Sequence, residues 1–172
     1  MDFNGTVTIS GDTTLEDGAD LITASAGTDN VRIGATAGDS IQSGGNFNTL
    51  VGTNAGTAIT TGDSNVAVGR NALDAEVAGS LSVAIGVGTL TTQSFSTATD
   101  VYNTAIGHAA GNQITTGTQN TIIGGLAGDA LTTGANNVAV GFEALSTEDA
   151  DGDNVAVGYQ ALKAQNAGAS GQ

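Results

Sequence analysis

The stretch Asn65-Val66-Ala67-Val68-Gly69 decides the fold of this chain, because close copies of it recur along most of the 172 residues. Successive copies begin 18, 17, 17, 21, 17, 17 and 17 residues apart. A near-fixed period this short is typical of a stacked repeat protein, in which each unit packs against its neighbours. The eight copies occupy residues 30–34, 48–52, 65–69, 82–86, 103–107, 120–124, 137–141 and 154–158.

Each copy predicts a short β-strand with two apolar faces. In the 65–69 copy, Val66 and Val68 share one face and Ala67 lies on the other. A strand that is apolar on both faces is typically buried on both. We expect one face to point into the interior of a coil and the other to be covered by another chain. The repeats therefore predict an all-β, parallel β-solenoid of about eight 17-residue coils that forms an oligomer.

The first and last residues of the motif have structural roles. The glycine marks a corner where a side chain would clash or φ must be positive. Asparagine suits a turn position with left-handed φ, and stacked asparagines hydrogen-bond to one another. Ser82 interrupts this series once. The candidate structural residues are Asn48, Gly52, Asn65, Gly69, Gly86, Asn103, Gly107, Asn120, Gly124, Asn137, Gly141, Asn154 and Gly158.

The repeats divide into two kinds at the position four residues after the motif glycine. Glycine repeats carry Gly38, Gly56, Gly111 and Gly128 there, and leucine repeats carry Leu73, Leu90, Leu145 and Leu162. Three residues later the leucine repeats have a polar residue, namely Glu76, Gln93, Glu148 or Gln165. The order of the two kinds recurs after four units, so residues 30–172 divide into super-repeats 30–102 and 103–172. We expect these polar tails, and the ends of the rod, to carry any recognition.

Residues 1–29 lie before the repeats and form the first of two predicted domains. Residues 5–10 alternate as a β-strand does, residues 12–20 are acidic, and residues 21–25 predict a second short strand. We expect this segment to cap the solenoid or attach it to a virion partner. Strand edges at the ends of the stack invite pairing, so end-to-end self-assembly is a further expectation.

The composition excludes several classes of function. The net charge is −14, with 17 acidic residues and only three Lys or Arg. Phosphate recognition depends on Lys and Arg, so we expect no nucleic acid partner. There is no cysteine for a disulfide or a thiolate metal site. No apolar run is long enough to span a bilayer as a helix, so we expect no membrane insertion.

The residues that could carry chemistry are few. Residues 149–153 contain three aspartates but lack the glycine and glutamate that a calcium loop needs, so we expect a solvated loop. His108, the single histidine, occupies a position that varies from repeat to repeat, and Phe142 and Tyr159 hold the same position. We therefore predict no metal site and no cofactor. No nucleophile and base are paired, so we predict no catalytic residues and no enzyme activity.

A resemblance to known families rests on the repeated phrases. Residues 65–69 and 82–86 resemble the head repeats of trimeric autotransporter adhesins, and residues 120–134 are similar to repeats of phage tail fibres. The similarity covers about residues 30–165. It implies a left-handed parallel β-roll, a side-by-side homotrimer with the strand motif near its core, and a structural or adhesive role.

The departures from the adhesin pattern favour the phage family. The adhesin repeat is shorter than the repeat of this chain, and this sequence shows no signal peptide, stalk heptads or membrane anchor. We therefore expect a fibrous virion appendage protein, either a tail fibre or spike segment or a capsid fibre. It would serve as a rod-like spacer or in attachment to a host surface glycan or protein. The alternatives are an extracellular filament joined end to end and a bacterial surface adhesin head domain.

Overall fold

The computed structural model describes residues 26–147 and 150–163, and within them the chain forms strands, turns and bends with no helix. The prediction of an all-β, parallel β-solenoid is confirmed, with about seven turns. The two strands predicted at 5–10 and 21–25 lie outside the described residues. So do Glu148, Asp149 and Gln165.

Every copy of the motif forms a strand at its central three residues. The strands in chain order are β1 Val31–Ile33, β2 Thr49–Val51, β3 Val66–Val68, β4 Gly79–Ser80, β5 Val83–Ile85, β6 Thr99–Asp100, β7 Thr104–Ile106, β8 Thr121–Ile123, β9 Val138–Val140 and β10 Val155–Val157. All except β4 and β6 form one parallel sheet in sequence order, and each motif residue pairs with its counterpart in the next repeat. At about 4.8 Å between strands, seven spacings make this sheet roughly 34 Å long.

A second, two-stranded sheet forms beside the longest repeat. Strand β4 pairs with β6 in parallel, through Gly79 with Thr99 and Ser80 with Asp100. The repeat that begins at Ser82 runs to Tyr102 and is the longest of the series. The extra length lies in this side of the coil, because the main sheet keeps its register from β5 to β7.

The core is a thin column of small and aliphatic side chains. The middle residue of each strand points inward, and it is fully buried in Leu50, Ala67, Ala84, Ala105, Ile122 and Ala139. An inward alanine follows five residues later in most repeats, as in Ala55 and Ala72. Each buried aliphatic side chain contributes roughly 1.5–3 kcal/mol, which is too little for one coil to fold alone. Stacking in register therefore supplies the stability.

The turns depend on left-handed backbone conformations. Each repeat has positive φ at four equivalent positions, which are the residue before the motif, the motif glycine, and the residues two and four places after that glycine. The last of these positions has φ between 50° and 58° whether it holds glycine or leucine, as in Gly56 and Leu73. A leucine held there costs about 1–2 kcal/mol. Full burial of Leu73, Leu90 and Leu145 offsets that cost.

Glycine and leucine repeats fill the same core in different ways. A Cβ placed on Gly56 would lie 2.8 Å from Ile59 Cδ1 and 2.8 Å from Leu50 Cδ2, so other side chains already occupy that space. Leucine repeats instead have alanine at the middle of the strand, as in Ala67, and let Leu73 fill the interior. The alternation seen in the sequence is thus an exchange of volume within one coil, except in the repeat that has both Ala105 and Gly111.

Candidate functional surfaces

The motif asparagines form a buried ladder inside the solenoid. The backbone N–H of Asn48 donates to Asn30 Oδ1 at 2.8 Å, and that of Asn65 donates to Asn48 Oδ1 at 2.9 Å. The same bond joins Asn103 to Asn120, Asn120 to Asn137, and Asn137 to Asn154. Most ladder side chains also donate from Nδ2 to a backbone carbonyl near the end of their own repeat, as Asn65 does to Gly79 at 2.9 Å.

The predicted left-handed φ of these asparagines is wrong. Within the described residues, the positive φ belongs to the residue just before each of them, such as Ser64 and Gln119. The asparagine side chain turns inward and serves as the partner of backbone groups that would otherwise be buried without one. Asparagine is required for its two-sided hydrogen bonding, and its tolerance of unusual backbone conformations is not used.

The motif glycines behave as predicted. Gly52, Gly69, Gly86, Gly107, Gly124 and Gly141 have φ between 130° and 140°, and a Cβ on any of them would lie 2.3–2.6 Å from the glycine backbone of the next repeat. Gly158 has φ 129°, but among the described residues the nearest atom to its hypothetical Cβ is 3.9 Å away. The glycine requirement therefore has two causes, φ and close approach of successive coils, and only the first applies at Gly158.

Two of the polar tails expected on the surface lie in the interior. Glu76 and Gln93 are both fully buried. Glu76 Oε1 accepts from the backbone N–H groups of Val77, Gly79 and Phe95 at 2.7–3.0 Å, and Oε2 accepts from Gln93 Nε2 at 2.9 Å. The expectation that these tails carry recognition is therefore wrong at both positions, because their hydrogen-bonding capacity is used inside the fold.

Gln93 bridges the break in the asparagine ladder. The shorter Ser82 side chain stands where an asparagine would bond the next unit. Gln93 Nε2 donates to Ser82 Oγ at 3.0 Å, and Gln93 Oε1 accepts from Asn103 Nδ2 at 2.9 Å. The ladder thus passes through a glutamine in the longest repeat of the series.

The outer residues of the main sheet form a continuous surface, which we term the outer sheet face. It consists of the first and third residues of each of its strands, most of them Val, Ile or Thr. In the single chain these side chains are half-buried or exposed, as with Ile85, Ile106 and Ile123 at 36–37% exposure. Three residues by roughly 34 Å give a flat footprint of about 300 Å². A patch of this size equals the largest apolar patch of a typical monomeric protein, and such patches often have a function.

Aromatic and apolar side chains border the outer sheet face at both corners. Phe47, Leu81 and Tyr102 are exposed just before their strands, and Phe142 and Tyr159 are exposed just after the motif glycines. The rings of Phe142 and Tyr159 stack with centroids 5.9 Å apart and an angle of 12°. These corners widen the apolar surface beyond the strands themselves.

Three carboxyl groups have shifted pKa values. Burial raises the pKa of Asp74, against the opposing effect of a hydrogen bond with its own backbone. Burial is also the main cause that raises the pKa of Asp129. Hydrogen bonds from Lys163 and Gln160 lower the pKa of Glu143, which forms an ion pair with Lys163. The shifts thus have two causes, burial at Asp74 and Asp129 and hydrogen bonding at Glu143.

The described ranges, 26–147 and 150–163, hold no group of three or more His, Asp or Glu side chains close enough to bind a metal ion. They also hold no helix with the length and apolar character to cross a membrane. His108 is exposed directly after Gly107, at the corner where the chain leaves strand β7.

The sequence shows which positions repeat but not which way each side chain points. Polarity alone predicts a surface location for Glu76 and Gln93. One contrary signal is present in the sequence, because they replace Ile or Leu at a position where the glycine repeats bury Ile59, Ile114 and Leu131. Comparisons with protein-family models, with curated proteins and with solved structures find no match to this chain.

Proposed function

We propose that this chain is a structural protein that works as a rigid rod and associates side by side with two further copies. The observation that supports this is the outer sheet face, whose Val and Ile side chains remain partly exposed along the whole length of the sheet. Burying such a face against identical chains would stabilise the assembly by about 25 cal/mol for each Å² of apolar surface removed from water. In this proposal the solenoid is a left-handed β-roll of eight coils in a homotrimer.

The role proposed for the trimer is that of a segment of a virion fibre, spike or capsid fibre, as a spacer or in host attachment. Support comes from the resemblance of the repeats to tail-fibre and adhesin repeats, and from a rod of roughly 34 Å without a catalytic constellation among its described residues. The strongly acidic surface, at −14 per chain, favours solubility and repels nucleic acid.

The test is the mass and shape of the purified protein. Sedimentation equilibrium should give the mass of three chains at micromolar concentration, and electron microscopy should show discrete short rods. A compact single-chain particle would overturn the proposal. Filaments of indefinite length would instead favour the alternative, an extracellular filament joined end to end. Immunogold labelling tests the virion role. Label on phage particles would locate the chain there, and label on a bacterial surface would favour the adhesin alternative.

A further inference from the structure

A groove lies beyond the corner glycines, where the backbone leaves the main sheet. It has a volume of about 370 Å³ and crosses three successive repeats. Residues of all three repeats line it, among them Arg70, Asn71, Thr91, His108 and Gln113. This volume lies at the lower end of the range typical of small-molecule sites, and it matches a single sugar ring better than a polymer segment.

The groove exists because the repeats have small side chains at this level. Two residues after the motif glycine stand Gly88 and Ala109, between Asn71 and Leu126 in the neighbouring repeats. Backbone continuity is kept, since all four residues have φ between 53° and 69°. The depression is therefore a property of two side chains and not of an irregular backbone.

The same place lacks the acidic residues that are common elsewhere on the chain. Five residues after the motif glycine, Asp74 and Asp129 stand in the repeats on either side, whereas Thr91 and Asn112 stand at the groove. No Asp or Glu lines the groove within the described residues. On a chain with 17 acidic residues, a local neutral stretch of this kind permits an anion to approach.

Two basic side chains face this neutral stretch. Arg70 and His108 occupy the same position of the repeat, two strand spacings or about 10 Å apart, with Val87 between them. Arg70 is exposed and makes no ion pair within the described residues, whereas Arg32 pairs with Asp39 and Lys163 pairs with Glu143. An arginine without a carboxylate partner on so acidic a protein is available for an external carboxylate.

The remaining lining suits hydroxyl groups. Asn71, Gln113 and Thr91 present amide and hydroxyl groups to the groove. Val87, Gly88 and Ala109 supply an apolar floor for the C–H face of a ring. A ligand with one carboxylate and several hydroxyls would use all of these features.

We propose that this groove binds a carboxylate-bearing sugar ring, a uronic or sialic acid, with its carboxylate on Arg70 and its hydroxyls on Asn71, Thr91 and Gln113. This inference deepens the attachment role proposed above by naming the ligand class, and it rests on that role for its biological meaning. A phosphate polymer is disfavoured because the chain as a whole is strongly negative.

The test uses the full chain and single-ring probes. Saturation-transfer NMR is run with galacturonate, N-acetylneuraminate, neutral galactose and acetate, each up to about 20 mM. We expect signals from one or both sugar acids and none from galactose or acetate, and the stronger of the two acids identifies the source of the carboxylate. Equal signals from galactose, or no signal from either sugar acid, would overturn the proposal.

Three variants locate the site. Arg70→Gln should weaken binding roughly tenfold or more, because a charge-assisted bond is lost. Lys163→Gln changes the net charge equally, outside the groove, and should bind as the parent chain does. Gly88→Asn should abolish binding because the new side chain fills the groove. The backbone should tolerate asparagine here, since Asn71 and Asn54 hold the equivalent position with φ of 58° and 60°.

The variants also separate this inference from the proposed rod. If Arg70→Gln and Lys163→Gln weaken sugar-acid binding equally, only the overall charge matters, and the groove is not the binding site. All three variants should keep the circular dichroism and the sedimentation mass of the parent. If the chain sediments as a trimer but binds no sugar, the rod proposal stands and the sugar site is overturned. If it binds sugar acids but sediments as a monomer, the sugar site stands and the trimeric rod is overturned.

Discussion

At the scale of single residues, the stack is held to its spacing by the motif glycines. A Cβ on Gly124 would lie 2.3 Å from the carbonyl oxygen of Gly141, and the residue has φ 139°. Neither the oxygen nor the backbone beneath it can move without breaking the pairing of β8 with β9. The clash and the backbone strain therefore add at this position.

The first prediction compares Gly124→Ala with Gly158→Ala. Both variants place alanine in a backbone region that costs about 1–3 kcal/mol for a side chain. Within the described residues only Gly124→Ala adds a clash, because the nearest atom to a Cβ on Gly158 is Ala161 Cβ at 3.9 Å. We expect Gly124→Ala to lower the free energy of unfolding by at least about 2 kcal/mol more than Gly158→Ala does. Urea denaturation followed by circular dichroism measures the difference; equal losses would contradict the steric argument.

Asp74 offers a second prediction at this scale, in the pH dependence of stability. Burial raises its folded pKa above the ordinary value of 3.8, and its Oδ1 atom is shielded from solvent without a hydrogen bond among the described residues. Below about pH 3 the carboxyl group is protonated in both the folded and the unfolded state, so its raised pKa does not lower the free energy of unfolding. The cost appears as pH rises through the folded pKa, because the folded state then has to ionise a partly buried group.

Asp74→Asn should therefore stabilise the protein at pH 7 and not at pH 3. Asparagine is tolerated at this position, since Asn112 holds it in another repeat. After allowance for partial solvent screening, we expect a gain of no more than about 1 kcal/mol. Urea midpoints of both proteins at the two pH values check this. A gain of the same size at pH 3 would show that ionisation is not the cause.

At the scale of the structural element, two inward positions of a coil exchange volume, the centre of the strand and the position four residues after the motif glycine; the repeat with Ala105 and Gly111 is small at both. Leu73 takes the place that Gly56 leaves to Leu50 and Ile59. The same principle applies to polar groups, since Gln93 takes over the ladder bond that Ser82 is too short to make. A coil therefore tolerates the transfer of side-chain volume or of a hydrogen bond from one inward position to another better than its loss.

Gln93→Leu provides the test at this scale. The leucine would keep the volume but leave Glu76 Oε2 without its side-chain donor, and would cut the link between Ser82 and Asn103. Buried groups that lose their partners, one of them a carboxylate, should lower the free energy of unfolding by about 3–5 kcal/mol.

The matched control is Gln42→Leu, which makes the same substitution at an exposed position. We expect it to change stability by less than about 0.5 kcal/mol. Chemical denaturation of both variants gives the comparison. If Gln93→Leu were as mild as the control, Gln93 would have no part in joining the two halves of the ladder.

At the scale of the whole molecule, substitutions on the outer sheet face should change the association of chains without unfolding them. Its side chains point away from the interior, so a charge there does little to the core of a single chain. Ile123, which is 37% exposed, lies on β8, the sixth of the eight strands and so away from both ends of the face. If three chains cover this face, a carboxylate at Ile123 would be buried without a partner, at a cost of several kcal/mol.

We therefore expect Ile123→Asp to yield a folded single chain. Circular dichroism should be unchanged, while sedimentation equilibrium should shift from three chains to one. Thr133→Asp serves as the control, because Thr133 is exposed in the turn that follows β8. It should remain trimeric. Retention of the trimer by Ile123→Asp would show that the outer sheet face is not the interface.

The sequence by itself determined the period, the strands, their parallel register and the need for glycine at each corner. These features follow from local geometry, because a motif that recurs at so short and regular a spacing can satisfy its backbone only by stacking in register. Asn65 and Gly69 could therefore be assigned to the frame of the coil from their spacing alone.

Only the tertiary structure decided which polar residues lie inside and which surface residues meet. Polarity alone predicts a surface location for Glu76 and Gln93. Both lie inside because three backbone N–H groups donate to Glu76 Oε1 and Gln93 donates to Glu76 Oε2. The groove between Arg70 and His108 was hidden as well. Their shared repeat position predicts a separation of two strand spacings, but only the structure shows the depression that both side chains line.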